Sequence, residues 1–131
     1  TERLLPEVTW LERLRRRVRL GIVTGRPRSD AERFLRQAGV DALFDTVICG
    51  EDAPPKPDPR PVALALRRLG AERAWMVGDT PDDVRAARAA GVVPLGIVAP
   101  SDELSITSER LLSAGAARVL DTLDQLEELL P

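Results

Sequence analysis

Three short stretches of this 131-residue sequence carry side chains able to bind a phosphate and its counter-ion. Thr24-Gly25-Arg26 follows the apolar run Gly21-Ile22-Val23. A hydroxyl beside a glycine at a strand end offers a phosphoryl oxygen an O–H donor and close backbone N–H donors. Taken alone, the tripeptide reads first as an ordinary strand-to-helix turn, and Arg26 either aims at a ligand or pairs with Asp30 on the surface. Lys56 is the only lysine among 19 basic residues. Where arginine supplies every other positive charge, one ammonium points to a local need for a compact point charge, which suits a phosphate or a developing negative charge. Pro57 restricts the residue before it and so limits where that ammonium can point; the plain alternative is a surface lysine in a proline-rich turn. Gly78-Asp79-Thr80-Pro81-Asp82-Asp83 follows another apolar run. With Asp79 at a strand tip and Asp83 in the first turn of the next helix, two carboxylates can face one point. Together they suit Mg2+, whose remaining positions water and substrate phosphate fill. Asp82 reads as a complement to the helix dipole, which is also the plain alternative for its two neighbours.

For these groups to converge, strands must end where each stretch begins. Apolar runs at residues 18–23, 46–49, 74–77, 92–98 and, more weakly, 118–120 alternate with segments of helical period. Ser29-Asp30-Ala31-Glu32 has the form of a capping box leading into Phe34, Leu35 and Ala38, with Gly39 placed to terminate. Asp58 followed by Pro59 is predicted to open a second helix bearing Val62, Leu66 and Leu69 on one face before Gly70. A third helix is predicted over residues 81–90, ending at Gly91, and a last amphipathic one over 121–130. Mostly apolar strands between amphipathic helices imply an α/β fold of three α/β/α layers around a mostly parallel sheet. In such sheets ligands gather at the carboxyl ends of the strands, where Thr24, Lys56 and Asp79 fall.

Composition narrows the function classes. With 44% hydrophobic and 31% charged residues, the chain has an ordinary globular balance and is expected to form one domain over residues 1–131. The formal charge of −2 arises from 19 basic and 21 acidic residues scattered along the chain, with no basic patch for a nucleic-acid backbone. No apolar run approaches the roughly 18 residues of a membrane span, so no membrane partner and a cytoplasmic location are expected. Cys49 is the lone cysteine and there is no histidine, which leaves no internal disulfide and speaks against structural zinc. Cys49 reads as a small buried apolar residue rather than a reactive thiol.

In order and separation, these motifs resemble the haloacid dehalogenase-like hydrolase superfamily. Residues 5–91 are similar to its catalytic core. Gly21-Ile22-Val23-Thr24-Gly25-Arg26 corresponds to the second motif and Lys56-Pro57-Asp58-Pro59 to the third. Gly78-Asp79-Thr80-Pro81-Asp82-Asp83, followed by Ala86-Ala87-Arg88-Ala89-Ala90-Gly91, corresponds to the fourth. The resemblance implies a Rossmann-like core and a Mg2+-dependent transfer in which an aspartate attacks a phosphate. Thr24 and the backbone around Gly25 and Arg26 would hold the phosphoryl oxygens, Lys56 would steady the charge, and Asp79 with Asp83 would anchor the metal. The first motif, a strand ending in Asp-x-Asp that supplies the nucleophile, has no match. The resemblance puts that strand between those carrying Thr24 and Asp79. The sequence, which starts Thr1-Glu2-Arg3 without methionine, is therefore expected to be a catalytic core lacking that strand and an inserted cap, with Leu4-Leu5-Pro6 returning from the cap.

The expected function is Mg2+-dependent hydrolysis of a small phosphorylated metabolite through an aspartyl-phosphate, with no activity from these 131 residues alone. Other readings are a non-catalytic phosphate- and metal-binding protein or scaffold, and a phosphomutase or dehalogenase of the same superfamily. Dehalogenases need no metal, so the presence of both Asp79 and Asp83 favours phosphoryl transfer. A phospho-receiver domain shares the layout but requires its aspartate before the threonine and lysine, whereas here the order is Thr24, Lys56, Asp79.

Overall fold

The apolar runs form five short strands, most of them shorter than the run that signals them, in a computed structural model that describes residues 7–99 and 102–131. In chain order the elements are α1 (Val8–Arg15), β1 (Gly21–Val23), α2 (Arg28–Gln37), a 3-10 turn (Asp41–Leu43), β2 (Thr46–Ile48) and α3 (Arg60–Leu69). There follow β3 (Trp75–Gly78), α4 (Pro81–Ala89), β4 (Val93–Ile97), α5 (Leu104–Ala114), β5 (Arg118–Leu120) and α6 (Gln125–Leu129). Leu4-Leu5-Pro6 lies outside the described residues. None of the described helices is long and apolar enough to cross a membrane.

Every strand pair is parallel, as crossover helices require. The strands nevertheless make two sheets, β1-β2 and β3-β4-β5, so among the described residues β1 and β3 each have one side unpaired by a strand. The Thr24 amide donates to Ile48 O at 2.9 Å and the Asp45 amide to Leu20 O at 2.7 Å, so even-numbered peptide groups of β1 face β2. Those of Gly21 and Val23 consequently face the opposite, open side. The Val93 amide donates to Ala74 O, which by the same alternation turns Trp75 and Val77 of β3 towards their open side.

Helices cover both faces of β1-β2. Ile22 and Val47 pack with Trp10, Leu11 and Leu14 of α1, Leu35 of α2 and Leu126 of α6. On the other face, the absent side chain of Gly21 lets Leu69 of α3 approach. Val62 of α3 meets Ala86 and Ala87 of α4 and Met76 of β3, so this helix pair bridges the two sheets. Leu111 of α5 packs on Val84, with Gly96 of β4 leaving it room.

Helix starts differ from the sequence expectation. Helix α2 begins at Arg28 after Pro27, with no side-chain cap of its own, and Ser29 and Asp30 lie within the first turn. Its first amide instead meets the Glu51 carboxylate at 2.9 and 3.1 Å, a partner 23 residues away that local spacing does not reveal. In α3 the start shifts to Arg60, yet Asp58 still accepts from the Arg60 amide at 2.9 Å. Helices α2, α3 and α4 end as expected, with Gly39, Gly70 and Gly91 at φ of 73°, 65° and 76°.

Candidate active site

The carboxyl ends of β1 and β3 open on one cavity of about 760 Å3, lined among others by Thr24, Gly25, Arg26, Lys56, Asp79 and Asp83. All six candidate residues therefore share one space. At the β1 end, the Thr24 hydroxyl oxygen accepts from the Arg26 amide at 3.2 Å, which folds the loop back while leaving the hydroxyl proton to donate. The Thr24 amide is used by Ile48 O, and nothing lies within 4 Å of where a Gly25 side chain would start, so a ligand has room to approach on that side. The Thr24 hydroxyl is thus the side-chain donor this turn presents. Arg26 lies over the Phe34 ring, 5.3 Å from its centroid, and Asp30 is bonded by Arg33 at 2.8 Å.

Lys56, whose bond to Pro57 is cis, spans the mouth between the sheets. Its ammonium is 2.5 Å from Asp83 Oδ1 and 3.4 Å from Val23 O, a carbonyl on the open side of β1. The surface-lysine reading fails on this geometry, because the lysine side chain is only 21% exposed.

Asp83 is buried, at 7% exposure, and both its oxygens are engaged. Oδ2 accepts from the Asp79 and Thr80 amides at 3.2 and 3.3 Å, while the Asp83 amide donates to Thr80 Oγ1 at 3.2 Å. This is a complete capping box, and Oδ1 holds the lysine. Gly78 permits the arrangement, since the Asp83 side chain occupies the place a β-carbon would take. The Thr80-x-x-Asp83 spacing was a legible capping signal that the sequence reading subsumed under metal binding. Asp82, in the first turn of α4, is bonded to Arg85 at 3.2 Å with both side chains more than half exposed.

Asp79 is half-buried at the strand tip. Burial first, and then the charge of Asp83, push its carboxyl above the ordinary range. Among the described residues no three carboxylates, thiols or imidazoles converge as a self-sufficient metal cage. Mg2+ does not need one: one or two carboxylates with water and phosphate suffice, and an anion disfavoured by its surroundings is a fitting place for a cation. Asp79, with Asp83 beside it, therefore fits this ion.

Cys49 is buried at the end of β2, and desolvation raises its thiol pKa, in agreement with an inert structural role. The sequence reading missed Arg28, Glu51 and Asp52, which join the turn after β1 to the turn after β2. Their spacing carries no local pattern, so no signal short of the fold would have found them.

The family model described as haloacid dehalogenase-like hydrolase matches residues 1–91. An imidazoleglycerol-phosphate dehydratase of Phytophthora nicotianae is 48% identical over 103 residues, covering 76% of this chain and 23% of that protein. A phosphoglycolate phosphatase of Rhodospirillum rubrum is 37% identical over 118 residues, covering 88% of this chain and 47% of that protein. The solved structure of a HAD family hydrolase from Deinococcus radiodurans, with bound phosphate and sodium, superposes with a TM-score of 0.79 at 26% identity. It is covered over 56% of its length by 93% of this chain. The chain thus spans less than half the length of either curated relative.

Proposed function

This chain belongs to the haloacid dehalogenase-like hydrolase family, and from that premise we propose that it supplies most of the catalytic site of a phosphohydrolase acting on a small phosphorylated metabolite in the cytoplasm. In this reading the Thr24 hydroxyl and the Gly25 amide donate to the phosphoryl oxygens, with Arg26 at the rim. The Lys56 ammonium, oriented by Asp83, offsets negative charge as it gathers on the transferring group. Asp79, with Asp83 beside it, would hold Mg2+, which when bound neutralises phosphate charge. The first aspartate of an Asp-x-Asp on a further strand, seated between β1 and β3, would attack phosphorus as the ester P–O bond breaks, and the second would give its proton to the leaving alcohol. Water then cleaves the aspartyl-phosphate to release inorganic phosphate.

The observation that supports this most directly is the meeting of donors and carboxylates at one cavity between two strands whose facing sides are unpaired. The test is to compare the 131-residue chain with a polypeptide carrying an upstream strand that ends in Asp-x-Asp, using p-nitrophenyl phosphate and Mg2+. The short chain is expected to show background turnover and the longer one steady hydrolysis. Hydrolysis by the short chain, or none by the longer one, would remove the proposal.

A further inference from the structure

Outside the groups assigned above, the densest polar cluster joins the two loops that carry Thr24 and Lys56. Asp52 Oδ2 accepts from the Cys49 amide at 2.7 Å and from the Arg28 guanidinium. The same guanidinium nitrogen donates to Val47 O at 3.1 Å, and the Arg28 amide is held by Glu51. Between them, the Gly50 amide donates to Arg26 O at 2.8 Å. The two turns approach so closely that a β-carbon on Gly50 would lie 2.6 Å from Gly25 O. Little slack remains, so the placement of residues 24–26 depends on the turn at 49–52, and Lys56 leaves that turn four residues after Asp52.

We propose that Asp52 is a positioning residue which, through Arg28 and the Cys49 amide, fixes the Thr24-Gly25 donors relative to Lys56 and so sets how tightly the site grips a phosphoryl group. The proposal rests on the phosphohydrolase reading for its ligand class. An ordinary solvent-exposed ion pair contributes little and does not fix a loop. Here the carboxylate side chain is 19% exposed, shares one oxygen between a backbone amide and a guanidinium, and ties strand β2 to the start of α2. The Cys49 amide is the largest influence lowering the Asp52 pKa, and Arg28 adds to it against desolvation, so the group is charged at neutral pH. Asparagine would keep an acceptor for Cys49 but lose the charge that holds Arg28. Misplacement of a binding group by about 1 Å can cost about a hundredfold in rate, so a smaller shift is expected to cost about tenfold.

The experiment uses the full-length protein with p-nitrophenyl phosphate as substrate and inorganic phosphate as a separately titrated ligand. Asp52→Asn and, as a second variant, Arg28→Lys should each raise KM and the phosphate dissociation constant about tenfold while melting cooperatively. The pair Asp52→Glu with Arg28→Lys, which lengthens one arm and shortens the other, should recover part of the loss. Arg33→Gln, which removes only the exposed pair with Asp30, should change neither constant. A lower melting temperature with KM and phosphate affinity unchanged overturns the proposal and leaves Asp52 a stabilising group alone. Wild-type protein that binds phosphate without turnover ends the hydrolase reading, and the phosphate constants still decide the role of Asp52. Wild-type protein that neither binds phosphate nor turns over overturns both.

Discussion

Asp79 and Asp83 stand four residues apart in one motif, yet their surroundings ask different things of them. Asp83 has an amide pair on one oxygen and an ammonium on the other, so its buried charge is compensated. Asp79 is pushed the opposite way, by burial and then by Asp83, towards the neutral acid. A carboxyl whose folded pKa lies above its unfolded value of about 3.9 favours the fold most below that value. The contribution is lost as pH rises through the folded pKa. At pH 7 without metal, Asp79→Asn is therefore expected not to lower the melting temperature, and the wild type should gain on the variant as the solution is acidified. If Asp79 holds Mg2+ as proposed, the ion should reverse the ranking, because the carboxylate is what it would bind. Calorimetric titration should show affinity reduced at least about tenfold by Asp79→Asn and unchanged by Asp82→Asn, whose carboxylate pairs with Arg85. Equal affinities in wild type and both variants would show that Asp79 is no ligand.

Elements differ in how much of them the residues reveal in advance. The strand runs were legible because continuous apolar character has few other uses. Their lengths were overread: in residues 18–20 the apolar character of Val18 and Leu20 serves the packing against α1, and only Gly21–Val23 pairs as strand. Helix α1 was not anticipated, although Trp10, Leu11 and Leu14 form a helical face, because in so short a helix only those three positions are buried. Helix α5 buries only Leu111 and Ala114 and leaves Leu104 and Leu112 exposed, which blurs its period. The end glycines were legible because positive φ is a local requirement, whereas the Glu51 cap on α2 joins residues 23 apart. In the site, residue types at strand ends were enough to nominate Thr24, Lys56 and Asp79. The bonds that orient Lys56 run to Val23 and Asp83 on other elements and needed the fold. Helix α3 offers a test of a local cap. Bonds from the Arg60 side chain and then its amide depress the Asp58 carboxyl to about 2. A depressed carboxyl stabilises the fold above its unfolded pKa and loses that contribution as pH falls through the folded value. Urea melts from pH 5 to pH 2 should therefore show less acid loss in Asp58→Asn than in the wild type, since asparagine still accepts from the Arg60 amide but does not titrate. Parallel acid profiles would assign the acid sensitivity elsewhere.

At the scale of the molecule, the described residues form two parallel sheets joined by helix packing and by Lys56 rather than by a shared ladder. Val62, Met76 and Ala86 form the apolar bridge, and Lys56 reaches from Val23 O to Asp83. The strand backbones leave a definite pattern behind. Peptide groups of Ile22 and Met76 face an existing neighbour, while those of Val23 and Val77 face the space between the sheets. An unmet buried amide costs about 1–3 kcal/mol, so those facing sides favour either water or a further strand. Hydrogen exchange can tell which. In the 131-residue chain, the Val23 and Val77 amides should exchange faster than those of Ile22 and Met76, although all four residues are half-buried. If a strand seats between β1 and β3 in a longer polypeptide, it must bond to both at once. Protection should then rise together at Val23 and Val77, by at least about a hundredfold, equivalent to ~3 kcal/mol of local opening. Ile22 and Met76, bonded in both forms, should gain only what global stability adds. A rise at Val23 alone would mean an added strand extends one sheet without uniting the two. No rise at either position, in a longer polypeptide that is active, would mean that the nucleophile reaches the cavity from a loop and that β1 and β3 remain true edges.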